Sequence, residues 1–202
     1  DDVESRGLGD VYKRQYLNRL QETIAKLNHD EINTFINLLI AARDEEKQIF
    51  IMGNGGSAST ASHFCCDFNK GSSYGFDKRF KFICLNDNVP GMMAYANDVS
   101  YDDIFVEQLK NFFQPGDYVI GISGSGNSKN VLKAIEYAKE NGGVTIGLTG
   151  FGGGKLKEMA DYSVNMGVDD MQISEDLHMM MDHLSMKVIT NRMISDSLAD
   201  AM

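Results

Sequence analysis

Tyr118-Val-Ile-Gly-Ile-Ser-Gly-Ser-Gly-Asn-Ser-Lys-Asn-Val131 runs from an apolar stretch, through a six-residue Ser/Gly/Asn loop, into a helix-forming segment. Pro115-Gly116 bounds the apolar part on its N-terminal side, so Tyr118–Gly121 reads as a strand. The segment from Lys129 to Glu140 reads as a helix. The loop between them, Ser123 to Ser128, has the chemistry of an anion nest. Its glycines let the backbone approach a ligand. The helix start supplies free N–H groups and the positive end of a dipole. Ser123, Ser125 and Ser128 add hydroxyl donors. A nucleoside triphosphate loop needs G-x-x-x-x-G-K-[ST], which is absent. The dinucleotide pattern G-x-G-x-x-G does not fit Gly121 to Gly126 either. A nest for a single phosphate fits best.

The same unit recurs in both directions along the chain. Gln48–Met52 is a strand broken by Gly53-Asn54-Gly55-Gly56-Ser57, with a helix following from Ala58 to Asn69. Phe80–Cys84 is a short strand, followed by a helix around Pro90 to Ala96. Downstream, Gly143–Leu148 and Tyr162–Met166 are strands around a short helix at Leu156–Met159. Strands alternating with helices predict an α/β three-layer sandwich built on a five-stranded parallel sheet. Two helices precede the first strand. Leu17, Leu20, Ile24 and Leu27 form one apolar face, and Asp30 is placed to cap the second helix. A long C-terminal helix runs from about Ser174 to beyond Met193. Residues 1–15 show no period and read as a disordered or non-native tail, leaving residues 16–202 as one domain. The surplus helices, with Leu17, Leu20, Met179, Met180 and Met186, offer surface for packing or a subunit interface.

The 202 residues carry a formal charge of −10, with no run of Lys and Arg, which excludes a nucleic-acid partner as the expectation. No apolar run approaches the ~20 residues of a membrane span, and no signal peptide is visible, so the expected location is the cytoplasm. Cys65, Cys66 and Cys84 have neither disulfide-framework nor zinc spacing and read as reduced interior residues.

GNGGSAS (53–59), GISGSGNSKNV (121–131) and LTGFGGGKL (148–156) resemble the sugar isomerase (SIS) domain, nearest the phosphoheptose isomerases. The resemblance spans about Tyr16 to Met193 and implies a flavodoxin-like SIS fold. It implies a sugar phosphate as substrate, with sedoheptulose 7-phosphate isomerised to glycero-manno-heptose 7-phosphate. Phosphate and sugar would be held by Asn54, Gly55, Gly56, Ser57, Asp87, Asn97, Asp98, Ser123, Gly124, Ser125, Asn127 and Ser128. The family loop reads GISTSGNS, and Gly124 replaces its Thr. A homotetramer with sites completed by neighbouring chains is also implied. A non-catalytic relative, similar to the replication initiator-associating protein, is the alternative.

The family's metal and acid/base positions fall on His63, Asp67, Glu175 and His183, where Asp67 stands for Glu and Glu175 for Gln. His63 and Asp67 lie one helical turn apart on a shared face. Two imidazoles and two carboxylates suit a divalent metal, zinc above others. Glu175 and His183 are separated by ~12 Å of helix, so one metal can take both only from between them or from different chains. His178 sits ~140° around the helix from His183 and stays outside that site. The resemblance assigns proton transfer to Asp67 and His183.

Overall fold

The structure is a computed structural model describing the backbone of residues 2–200 and the side chains of residues 9–199. At the centre of its sheet β1 (Gln48–Gly53) lies beside β3 (Tyr118–Ser123). Outside β1 is β2 (Lys81–Cys84); outside β3 are β4 (Val144–Thr149) and β5 (Tyr162–Asn165). All pairings are parallel, in the order β2-β1-β3-β4-β5. The winding direction reverses between β1 and β3, and a ligand crevice opens beyond the strand ends at such a reversal.

Period-two alternation sorts the strand side chains onto two cores. Ile49, Ile51, Ile120, Ile122, Ile146 and Leu148 face one layer, whose helices are α2 (His29–Asp44), α3 (Gly56–Cys66) and α8 (Met171–Asp200). Phe50, Met52 and Val119 face the other, with α5 (Val106–Phe112) and α6 (Lys129–Glu140). The remaining helices are α1 (Asp2–Ile24), α4 (Val89–Asp98) and α7 (Gly154–Met159). All six residues of β3 are buried, as a central strand covered on both faces requires.

Five sequence expectations shift. The first helix does not begin at Tyr16: α1 extends back to Asp2, and residues 9–15 lie in it exposed. Once nucleated, a helix gains one backbone hydrogen bond per added residue, so the exposed residues 9–15 extend the packed part without a periodic apolar face to reveal them. Leu17 and Ile24 are exposed, whereas Leu20 packs on the core and Leu27 is buried. The second helix is capped by Asn28, whose side chain accepts from the N–H groups of Asp30 and Glu31. The segment Val106–Phe112 is an additional helix, anchored by buried Gln108, which donates to the Leu85 and Ile104 carbonyls. α8 begins at Met171 because Asp170 accepts the Ile173 N–H.

On α8, Ser174, His178, Asp182 and Ser185 are all fully buried at helical spacing. Neither His178 ring nitrogen makes a well-aligned hydrogen bond among the described residues; burial pushes its pKa down to about 4, opposed by a loose approach to the Thr149 backbone. The folded protein therefore holds fewer protons than the unfolded chain between pH ~4 and the free value of ~6.5. Stability from this residue is intact above pH ~6.5 and declines as pH falls towards 4, by about 3 kcal/mol in all. Urea unfolding at pH 7 and pH 4.5 should show that loss reduced in His178→Leu. An unchanged pH dependence in the variant would contradict it.

Candidate active site

The loops that follow β1 and β3 face each other across a cleft of about 310 Å³ at the reversal point of the sheet. Asn54, Gly55, Gly56 and Ser57 form one wall, and Ser123, Gly124, Ser125 and Ser128 the other. Ser128 precedes α6 but makes no side-chain cap; its Oγ instead meets Ser123 Oγ at 3.0 Å. Gly55, before α3, has no side chain with which to cap. Both helices thus present uncapped N-termini to one space, where an anion satisfies N–H groups and dipole together. Asn130 ties the loops together: its amide exchanges two 2.9 Å hydrogen bonds with Asn54, whose Oδ1 also accepts from Tyr101. Asn86 does the same for β1, exchanging hydrogen bonds with the Gly53 backbone.

The loss of the family's Thr at Gly124 has a local counterpart. A Cβ placed on Gly124 would stand 2.5 Å from Met171 Sδ, so the first residue of α8 fills the space a Thr side chain would need. Asn127 turns away from this cleft, donating to the Ser125 carbonyl and accepting from the Lys155 N–H. Asn97 and Asp98, at the end of α4, are exposed and bond to each other at 2.7 Å. Asp87 accepts a hydrogen bond from Ser62, the residue before His63. Among the residues expected at the cleft, these four do not line it.

His63, Asp67 and His183 do come together. His63 lies near the end of α3, and Asp67 opens the π-helical turn Asp67–Gly71 that follows. Their side-chain atoms are 3.7 Å apart. His183 Nε2 is 3.0 Å from His63 Nε2 and 3.9 Å from Asp67 Oδ2. Glu175 does not join them. It lies against Gly56, where a Cβ would fall 2.5 Å from its Oε2, and it lines the phosphate cleft. The acid that completes the cluster is Asp182, which the sequence pattern passed over. Its Oδ2 is 4.0 Å from His63 Nε2. Burial, and secondarily the charge of Asp67, push its carboxyl up to about 8. One signal did point to it: an acidic residue at position i+4 from His178 and i−1 from His183, inside a run of Met and Leu.

The donor set fits a divalent cation. One ligand atom from each of His63, Asp67, Asp182 and His183 lies within 4.8 Å of the other three. Tetrahedral zinc with N and O bonds of ~2.0–2.2 Å places its donors about 3.4 Å apart; the His63 and Asp67 pairs span 3.0 to 4.0 Å, the whole set lies within 4.8 Å, and the wider pairs must draw in by up to about 1 Å to hold an ion.

Residues 12–150 match the SIS domain family. A probable phosphoheptose isomerase of Thermoplasma acidophilum is 35% identical over 179 residues, covering 89% of this chain and 98% of the relative. The phosphoheptose isomerase of Helicobacter pylori is 34% identical over 181 residues, 88% of this chain and 93% of that one. In three dimensions, a phosphoheptose isomerase from Neisseria gonorrhoeae superposes with a TM-score of 0.83 at 25% identity, covering 91% of this chain and 99% of the other. With the reversal-point cleft, the paired Ser/Gly loops and the His/Asp cluster, this places the chain in the SIS domain family, beside the phosphoheptose isomerases.

Proposed function

We propose that this protein is an aldose–ketose isomerase of a sugar phosphate, converting sedoheptulose 7-phosphate to glycero-manno-heptose 7-phosphate. One observation carries the reading: α3 begins at the phosphate cleft and ends at the acid–base cluster. From Gly56 to His63 is seven residues, about 10 Å of helix axis. The seven bonds from phosphorus to C2 of a heptose 7-phosphate span about 9 Å in extended form, at ~1.25 Å advance per bond. A seven-carbon substrate thus reaches from the Ser/Gly nest to the imidazoles. The isomerase relatives support the same assignment over the non-catalytic alternative.

The nest holds the phosphate, and Glu175 offers acceptors for sugar hydroxyls along the cleft. Starting from the ketose, a base takes a proton from C1 while the C2 carbonyl oxygen gains one, giving a cis-enediol. A proton is then delivered to C2 as the O1 proton leaves, producing the aldehyde. Asp67 and His183 are the groups for these transfers. His63 orients the pair, since one of the two facing Nε2 atoms must carry the hydrogen between them. A cation held by His63, Asp67, Asp182 and His183 would supply Lewis acidity towards carbonyl and hydroxyl oxygens. Among the described residues no helix is long and apolar enough to cross a membrane. Exposed Leu17 and Ile24 on α1, with Val188, Ile194 and Leu198 on α8, supply apolar surface for assembly as a homotetramer.

The assay is turnover of sedoheptulose 7-phosphate by the purified chain, with and without chelator. No turnover at high enzyme concentration, with sugar-phosphate binding intact, removes the isomerase reading. Ser125 is exposed at the cleft mouth, and its Oγ accepts from the Asn127 N–H, leaving its own hydrogen for a ligand. Ser125→Ala should weaken binding of the phosphosugar about tenfold by calorimetry, as loss of one hydrogen bond to a charged group predicts. Unchanged affinity would displace the phosphate from this loop.

A further inference from the structure

Asp182 is the most isolated polar group at the cluster. Its side chain is fully buried, and neither oxygen has a hydrogen-bond partner among the described residues. Among the described residues no Lys or Arg forms an ion pair with it; His63 lies at 4.0 Å, and a His183 nitrogen lies within 4.8 Å. A buried carboxylate is tolerated when it is paired or holds a metal. Its Oδ2 points to the side where His63, Asp67 and His183 converge, and one donor atom of each lies within 4.8 Å of the others. Two carboxylates also match the charge of one divalent cation, which keeps the surroundings of the buried Asp182 near neutrality. Two imidazoles beside them favour a borderline-soft ion such as zinc over magnesium or calcium.

We propose that Asp182 is a ligand of a zinc-class divalent cation, completing a set with His63, Asp67 and His183, and that Glu175 is not. This chain has thereby moved its fourth donor seven residues along α8, from the position that faces the phosphate cleft to the buried position next to His183. The inference deepens the isomerase reading, since it shares three residues with that site. It also constrains it. A cation held here would take up His183 and one oxygen of Asp67, which would leave the other Asp67 oxygen for proton transfer. The chelated protein has both groups.

The test uses the full chain, freed of metal by dialysis against chelator. Zinc is titrated by calorimetry and cobalt(II) by its visible absorption, for the wild type, Asp182→Asn and Glu175→Gln. The wild type and Glu175→Gln should each bind one ion with affinities within about twofold of each other, and show the strong cobalt band of a four-coordinate site. Asp182→Asn should lose at least about 10-fold to 100-fold in affinity, as impaired metal sites do. Zinc should raise the thermal midpoint of the first two proteins and leave the third unmoved. Without metal, Asp182→Asn should melt no lower than wild type, because it removes an unpaired buried acid. If that variant does not fold, Asp182→Leu fills the same volume and serves instead. Wild-type affinity in the Asp182 variants, or loss of zinc in Glu175→Gln alone, overturns the assignment. The two readings fail separately. A protein that binds zinc through Asp182 but does not turn over sedoheptulose 7-phosphate keeps the ligand and loses the isomerase. One that turns over but binds no zinc does the reverse.

Discussion

Asp67→Asn should lower kcat for sedoheptulose 7-phosphate by about 10³-fold and leave KM within a few-fold of wild type. The amide keeps the volume and hydrogen-bonding capacity of the carboxylate but cannot take a proton from carbon. General acid–base groups contribute about 10²–10⁴-fold, which sets the size of the loss. KM is spared because Asp67 lies at the far end of α3 from the Ser/Gly nest that holds the phosphate. Asp67→Glu restores the side chain of the family pattern. Its extra methylene adds about 1.5 Å of reach. The shorter Asp67 already lies 3.7 and 3.9 Å from the two imidazoles, because α3 widens into a π-helical turn at this residue. The longer arm must fold back to keep that geometry, and a misplacement of ~1 Å costs up to ~100-fold. Asp67→Glu should thus fall between the wild type and Asp67→Asn. Steady-state kinetics of the three proteins, each first freed of metal, checks the order. More than a tenth of wild-type kcat in Asp67→Asn would take the proton-transfer role away from this residue.

The π-helical turn shows why the fold was more legible in the sequence than the site. Strands β1 to β5 announce themselves because their apolar runs are short, bounded by Gly and Pro, and separated by helical periods. The Ser/Gly loops are equally plain, since backbone chemistry is written into residue type. The cluster is assembled by tertiary packing of α3 on α8, and there one-dimensional spacing misleads. Glu175 and Asp182 are both acids on α8, seven residues and about two turns apart. Nothing local says that one faces the cleft and the other the core. Only the depth of the helix against α3 settles it. Family correspondence favoured Glu175, while burial singles out Asp182. The same holds for Asn130: a helix-start asparagine looks like a cap, yet its amide locks two loops that are 76 residues apart in sequence. The part of α1 before Tyr16 went unread for the opposite reason. Residues 9–15 are helical yet exposed, so no hydrophobic pattern marks them.

Gly126→Ala should damage both the phosphate nest and the stability of the chain. Gly126 has φ +67°, where an L side chain is strained by about 1–3 kcal/mol. Its missing Cβ is more decisive. Placed on this backbone, it would lie 1.9 Å from the Gly153 carbonyl oxygen and 2.6 Å from the carbonyl carbon. No rotamer change relieves a clash with main chain, so two segments must separate. Those segments are joined by backbone hydrogen bonds: Leu156 N–H donates to the Gly126 carbonyl, and Gly150 N–H to the Gly124 carbonyl, each at 2.9 Å. Gly154 is the reciprocal half of the contact, with φ +54° and a virtual Cβ 2.5 Å from the Ser125 carbonyl oxygen. The Gly150–Gly154 turn is thus the floor on which the phosphate loop rests, and the closeness of the two backbones is what holds Ser123, Ser125 and Ser128 in one nest. Strain and overpacking together come to about 3 kcal/mol or more. For a chain of this size that lowers the thermal midpoint by about 6–12 °C. Phosphosugar affinity should fall with it, and by more than Ser125→Ala alone produces. Gly152→Ala is the internal control. It lies in the same turn, its φ is outside the left-handed region, and a Cβ there meets nothing within 4 Å, so melting and binding should stay at wild-type values. Equal effects from both alanines would mean that the turn tolerates no side chain anywhere, and that the Gly126–Gly153 contact has no special part in shaping the nest.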